Sequence, residues 1–223
     1  MTSSKKTLLE LTPEEKLRSR DVLWGHTLNS ALACNGCPLA PTRNQVVFGD
    51  GDPHSKLLFI GEAPGADEDK QGIPFVGKAG QLLTKIFDQV EIKRSDIYIT
   101  NIVKCRPPEN RVPTAQEMIA CNHFLQTQIL LIDPALIILL GNAPTQWILK
   151  TNERISKIRG KWFDWHGIAV MPMFHPSYLL RFASPTQKEG SPKHLTWIDI
   201  QEIKRQWDSI KKSGKTTDDI NFG

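Results

Sequence analysis

The sequence predicts an α/β protein, a three-layer α/β/α sandwich around a central, mainly four-stranded parallel sheet. Two observations carry this. Four short apolar runs, at residues 56–60, 96–100, 134–140 and 168–173, read as strands buried on both faces. Segments with helical spacing separate them, and that alternation is the pattern of a parallel sheet covered by helices. At 223 residues, 39% of them hydrophobic, the chain can build one substantial core.

Residues 1–12 are polar and expected to be flexible. Thr12, Pro13, Glu14 and Glu15 form a helix start: a capping residue, proline at the first helical position, then acids in the first turn. That helix is expected to reach about Ala33, with Leu17, Leu23, Trp24 and Leu28 turned inward. Residues 34–55 carry Asn-Gly, Pro and Gly-Asp-Gly punctuation and read as loop. After the first strand comes a long loop, 61–77, and then a helix over 78–90 with Leu82, Leu83, Ile86 and Phe87 on one face. The second strand leads through the loop 101–113 to a helix over 114–132, opened by a Thr114/Glu117 capping box. The third strand precedes a short helix over 142–150. The fourth precedes a loop at 175–185 and a closing amphipathic helix over 193–212. Residues 13–212 are read as one domain and 213–223 as a flexible polar tail. Sites in such sheets lie beyond the carboxyl ends of the strands, so the loops 61–77, 101–113 and 175–185 should meet at one edge.

The charge balance, 28 basic against 24 acidic residues, permits an anionic partner without requiring one. No apolar run approaches a membrane span, and the N-terminus has no signal-like apolar stretch. A cytoplasmic protein with no membrane partner is expected, so four cysteines read first as a metal site or as core thiols. Cys34-Asn35-Gly36-Cys37 is a C-x2-C turn that brings two sulfurs to one side; Cys105 follows the second strand, and Cys121 lies in the next helix. Four thiolates suit tetrahedral zinc or a [4Fe–4S] cluster, and spacing does not separate the two. Buried thiols at 105 and 121 with a redox pair at 34 and 37 is the third possibility.

Gly61-Glu62-Ala63-Pro64-Gly65, Glu68-Asp69, Pro74-Phe75-Val76-Gly77-Lys78-Ala79-Gly80 and Thr100-Asn101-Ile102-Val103-Lys104-Cys105-Arg106 together resemble the family 4 uracil-DNA glycosylases. His175-Pro176-Ser177-Tyr178-Leu179-Leu180-Arg181 resembles that family's second signature, and the cysteine pattern resembles its [4Fe–4S] ligand set, Cys34, Cys37, Cys105 and Cys121. The resemblance runs from about Cys34 to Trp207. It implies a DNA-repair hydrolase that flips uracil out of single- or double-stranded DNA and cleaves its N-glycosidic bond without a lyase step, acting as a monomer with a structural cluster.

Within that resemblance Phe75 is expected to stack on the flipped base, and Asn101 to pair with uracil O4 and N3–H. His175 is expected to donate to O2 as charge builds on the leaving group. Most relatives in the wider superfamily resemble G-Q-D-P-Y, with an Asp that handles the water. Ala63 stands at that position here and cannot do so, so Glu62 is the first choice for the water and Glu68 the second, with backbone groups and Asn110 as a further possibility. Glu68 is also a candidate to fill the space left by Gly65, which stands where those relatives carry Tyr. Ala63 and Glu68 complete the expected uracil pocket. Leu179 is the preferred wedge into the base stack, set against a short packed helix at the same place. Ser177, Lys78, Lys104, Arg106 and Arg181, with Arg111, Lys157, Arg159 and Lys161, are expected on phosphates.

Two rival readings use the same residues. A related branch traps DNA covalently through a loop histidine, but no histidine lies between His54 and His123, so no adduct is expected. A non-catalytic zinc-dependent nucleic-acid-binding module would use the same cysteines. The run at 61–65 lacks the spacings of nucleotide-phosphate loops.

Overall fold

The structure is a computed structural model that describes residues 12–182 and 188–213. Most of the two ends expected to be flexible, 1–11 and 214–223, lies outside the described residues, as do 183–187 of the third loop.

Among the described residues one sheet contains β1 (Asp50–Gly51), β2 (Leu57–Gly61), β3 (Tyr98–Asn101), β4 (Leu136–Leu140), β5 (Phe163–Trp165) and β6 (Ile168–Met173), in the order β1-β3-β2-β4-β6-β5. The four inner strands are parallel, with Leu58 opposite both Tyr98 and Ile137, and Ile137 opposite Val170. They are the four strands expected. The edge strands β1 and β5 pair antiparallel; β1 falls where loop was expected and β5 in a stretch given no element, since two or three residues carry no readable period.

Alternate residues of each inner strand face opposite layers. Leu57, Phe59, Ile138 and Met171 pack under α3 (Lys78–Asp88) and α8 (Pro192–Ser213), through Leu83, Phe87, Ile203 and Trp207. Leu58, Ile60, Leu139 and Val170 pack under α1 (Pro13–Leu32), α4 (Ala115–Ile132) and α5 (Asn142–Leu149), through Ala31, Phe124, Leu125 and Ile148. Both faces are dry, which is why the strands read as unbroken apolar runs.

The helix starts follow the local chemistry. Thr12 and Glu15 exchange the two bonds of a capping box at 3.2 and 2.7 Å, and Thr114 and Glu117 do the same at 3.2 and 2.8 Å. Three short helices add to those expected: α2 (Ala66–Gln71) in a stretch read as loop, α6 (Ile155–Ile158) in a stretch given no element, and α7 (Pro176–Leu179) where a loop tip and a short packed helix were the alternatives. None is long enough to show an apolar stripe. From β2 the chain crosses to β3 on one side and returns to β4 on the other, and this reversal opens a crevice at the carboxyl ends of β2 and β4. No helix among the described residues is long and apolar enough to cross a membrane.

Candidate active site

A cleft of about 890 Å³ occupies that crevice, and all three loops singled out in the sequence line it. Residues 62–65 arrive from β2, Asn101 and the 107–112 turn from β3, and His175, Ser177, Tyr178 and Arg181 from β6. Two further segments contribute: 141–143 at the end of β4, and 154–156 at the start of α6.

Asn101 ends β3 directly opposite Gly61. It is 1% exposed and lines the cleft, and its buried Oδ1 has no hydrogen-bond partner. A buried acceptor left unpaired costs free energy, on the order of 1–3 kcal/mol, so the position is set up for a donor from outside. The glycine opposite is required. A Cβ on Gly61 would lie 2.3 Å from Asn101 Oδ1 and 2.6 Å from Phe75 Cζ. Phe75 has a left-handed backbone, φ 54°, which is costly for an aromatic residue. Arg94 holds it there, donating to the carbonyls of Phe75 at 3.0 Å and Pro74 at 2.8 Å. The ring belongs to the core cluster and also lines the cleft, so packing and presentation are both served.

His175 faces Phe75, with ring centroids 5.7 Å apart. Its Nδ1 accepts from the Ser177 amide at 3.1 Å and lies 2.7 Å from Ser177 Oγ. An amide can only donate, so Nδ1 is unprotonated and the neutral ring carries its proton on Nε2. Burial pulls the His175 pKa down to about 4, so the ring is a neutral donor across the physiological range.

Glu62 lines the cleft, and burial raises its pKa above the ordinary carboxylate value. Ala63 sits beside it on the wall. Glu68 is differently engaged: its oxygens accept from the amides of Gly65 at 3.1 Å, Val76 at 2.9 Å and Gly77 at 2.8 Å. Neither a solvated loop face nor a free base describes it; the carboxylate staples the two sides of the loop that carries Phe75. A Cβ at Gly65 would lie 2.6 Å from Glu68 Oε2, so the carboxylate packs close against that glycine.

Two expected DNA contacts are corrected. Leu179 is 2% exposed, because α7 turns it onto the core, whereas Leu180 is 47% exposed at the same tip. Lys104 is 1% exposed and donates to Thr100 Oγ1 and the Asn101 carbonyl, each at 2.7 Å, so it cannot reach a phosphate. Arg111 is committed to Glu117 through two bonds of 2.8 and 2.7 Å, and Arg159 is paired with the buried Asp199. Lys78, Ser177, Arg181, Lys157 and Lys161 are exposed, and Arg106 donates to Asn110 Oδ1 at 2.8 Å on the cleft rim.

The four cysteines line one small second cavity, together with Arg43 and Lys104. Sulfur atoms of three of them have nitrogen donors within reach: Gly36 N at 3.4 Å from Cys34, Arg43 Nη1 at 3.5 Å from Cys105, and Lys104 N at 3.3 Å from Cys121. Burial pushes the Cys105 thiol up to about 11, with Arg43 opposing, and raises that of Cys121. These thiols become thiolates only when a metal takes the place of the proton. Among the described residues no group of three or more His, Cys, Asp or Glu is arranged around a single metal ion.

The family model of the uracil DNA glycosylase superfamily matches residues 48–201. The chain belongs to that superfamily. It is 44% identical over 183 residues to a type-4 uracil-DNA glycosylase of Thermotoga maritima, covering 81% of this chain and 91% of the relative. It is 42% identical over 204 residues to the type-4 enzyme of Sulfurisphaera tokodaii, covering 82% and 92%. A type-5 uracil-DNA glycosylase of Pyrobaculum aerophilum is 29% identical over 148 residues, covering 58% of this chain and 64% of that one. The chain thus sits in the type-4 branch of the superfamily.

Within this uracil DNA glycosylase fold, three contributors escaped sequence reading. Arg94 fixes Phe75 from the far side of α3. Arg154 and Ser156 line the cleft where Asn142 Oδ1 accepts from Ile155 N at 3.0 Å and ties the start of α6 to the start of α5. Asn142 directly after an apolar strand was the one available signal. Neither Arg94 nor Arg154 lies in a motif.

Proposed function

We propose that this chain removes uracil from DNA by base flipping and hydrolysis, leaving an abasic site. The observation that carries the reading is the buried, unpartnered Oδ1 of Asn101 at the floor of a cleft walled by Phe75 and His175.

A flipped uracil stacks on Phe75, worth about 1–3 kcal/mol. Its N3–H donates to Asn101 Oδ1, and Asn101 Nδ2 donates to O4. Cytosine in the same pose presents an acceptor at N3 and donors at C4, a mismatch at both atoms. The Nε2–H of His175 donates to O2. Glu62 orients a water towards C1′ of the sugar. As the C1′–N1 bond breaks, its electron pair leaves on uracil, where His175 stabilises it. The water oxygen bonds C1′, and the water's proton passes to the carboxylate or to solvent. With water as the nucleophile the enzyme is monofunctional, with no lyase step.

Lys78, Arg106, Arg154, Arg181 and Ser177 hold phosphates around the cleft. Leu180 takes the wedge role first given to Leu179, because it is the exposed leucine of the tip. Cys34, Cys37, Cys105 and Cys121 hold a [4Fe–4S] cluster, whose contribution is a structural cross-link between the 34–37 turn and the β3–α4 connection. Residues 13–212 act as one domain and a monomer, in the cytoplasm, on single- or double-stranded uracil-containing DNA. The zinc-dependent binding module draws no support from the relatives.

The test is chromatographic release of free base from oligonucleotides carrying one uracil, beside controls carrying cytosine or thymine. Uracil release alone supports the reading; no release from either strand form contradicts it.

A further inference from the structure

Lys104 is the one lysine among the largest fully buried side chains, and the reaction outlined above gives it no task. It stands between two sites. On one side it forms part of the wall of the cysteine cavity, its amide donates to Cys121 Sγ at 3.3 Å, and Cys105 is the next residue. On the other side its side chain runs back along the end of β3. There Nζ donates to Thr100 Oγ1 and the Asn101 carbonyl, both at 2.7 Å. Thr100 in turn donates to the Phe48 carbonyl at 2.8 Å and lies 3.3 Å from Gln128 Oε1. A second bond to the same carbonyl reaches Phe48 from Gln128 Nε2 at 2.9 Å. The chain of bonds is continuous and dry, and it ends on the peptide that carries Asn101. Burying an amine costs several kcal/mol unless its partners compensate, so an aliphatic residue would serve a purely packing role more cheaply.

We propose that Lys104 is a positioning residue that ties the four-cysteine centre to the uracil-reading end of β3, so that the centre sets where the Asn101 amide stands in the cleft. The Asn101 side chain has no hydrogen-bond partner at Oδ1. Lys104 holds the carbonyl of the residue that carries it. The cross-link at the cysteines is then felt at the base pocket through one side chain, and not only through general stability. This inference rests on the uracil-excision reading. If wild-type protein neither binds nor releases uracil, that reading fails first and independently.

The test is Lys104→Met, which keeps the length and apolar body and removes the donor. Four quantities are read on the iron-loaded protein: visible absorbance with iron content, the thermal midpoint, the inhibition constant of free uracil, and the affinity for DNA with an abasic site. The expected result is unchanged iron content, uracil inhibition weakened about tenfold or more, and abasic-DNA affinity within about twofold of wild type, since that product has no base for Asn101 to read. Uracil inhibition within twofold of wild type would overturn the proposal. So would parallel loss of iron, uracil and abasic-DNA binding, because Lys104 would then be only a support of the fold. Lys104→Gln, which retains a shorter donor, should fall between Met and wild type. If neither variant folds, the lysine is a requirement of the core and the proposal is wrong.

Discussion

The backbone amide of Ser177 donates to Nδ1 of His175 at 3.1 Å, and that one bond decides which ring nitrogen carries the proton. A neutral imidazole bound in this way has its donor on Nε2, ready for an oxygen that gains charge only as the bond breaks.

His175→Ala should therefore lower kcat by about 10²–10³, with a much smaller change in KM, because the lost bond strengthens in the transition state. Single-turnover release of uracil measures it. His175→Gln, with a donor in a similar place, should recover part of the loss.

The same histidine makes stability depend on acidity. Its folded pKa of about 4 lies below the ordinary 6.5, so between these values the unfolded chain holds the proton and the folded chain does not. This contribution is complete above 6.5 and is lost as the pH falls towards 4, with a slope of at most about 1.4 kcal/mol per pH unit. Denaturant titrations of wild type and His175→Gln across that window should show the shallower slope in the variant.

In the reaction proposed above Glu62 orients water as a carboxylate, and burial raises its pKa. Activity should decline as the pH drops through that raised value, and Glu62→Gln should remove the acidic limb while lowering kcat about 10²-fold. A pH–rate profile for single-turnover excision checks both. An unchanged limb in the variant would assign the titration to another group.

For the [4Fe–4S] centre proposed above, Cys121→Ser should abolish a brown chromophore and cost about 2 kcal/mol or more, a midpoint lower by roughly 4–8 °C. Visible spectra, iron analysis and thermal melts read these together. Full iron content in the variant would remove Cys121 from the ligand set.

Arg154, at the start of α6, and Arg181, just after α7, both line the cleft. Replacing each with Ala should weaken DNA binding at all sequences alike and reduce the salt slope by about one. Binding isotherms at several salt concentrations test this.

Much of this was legible before the fold was known. Apolar runs and capping boxes placed the four inner strands and the long helices, because dry faces and helix ends leave strong local signatures. The turn at 61–65, Asn101 and His175 were legible as strand-end motifs. What stayed hidden depends on the direction of a side chain. Lys104 and Arg106 look alike in sequence, yet the end of β3 turns the first inward and leaves the second on the rim. Leu179 and Leu180 differ by one position on α7, which is enough to exchange core and solvent. Glu68 and Arg94 act on backbone atoms of the Phe75 loop, and contacts of that kind leave no pattern in the chain.

The central claim is that Asn101, buried with an open Oδ1, reads the base. The direct measurement is single-turnover uracil release by Asn101→Ala beside wild type, on single- and double-stranded oligonucleotides, with the thermal midpoint recorded for both proteins. The account predicts a loss of about 10²-fold or more on both substrates in a variant that melts within a few degrees of wild type. Release within twofold of wild type would contradict it.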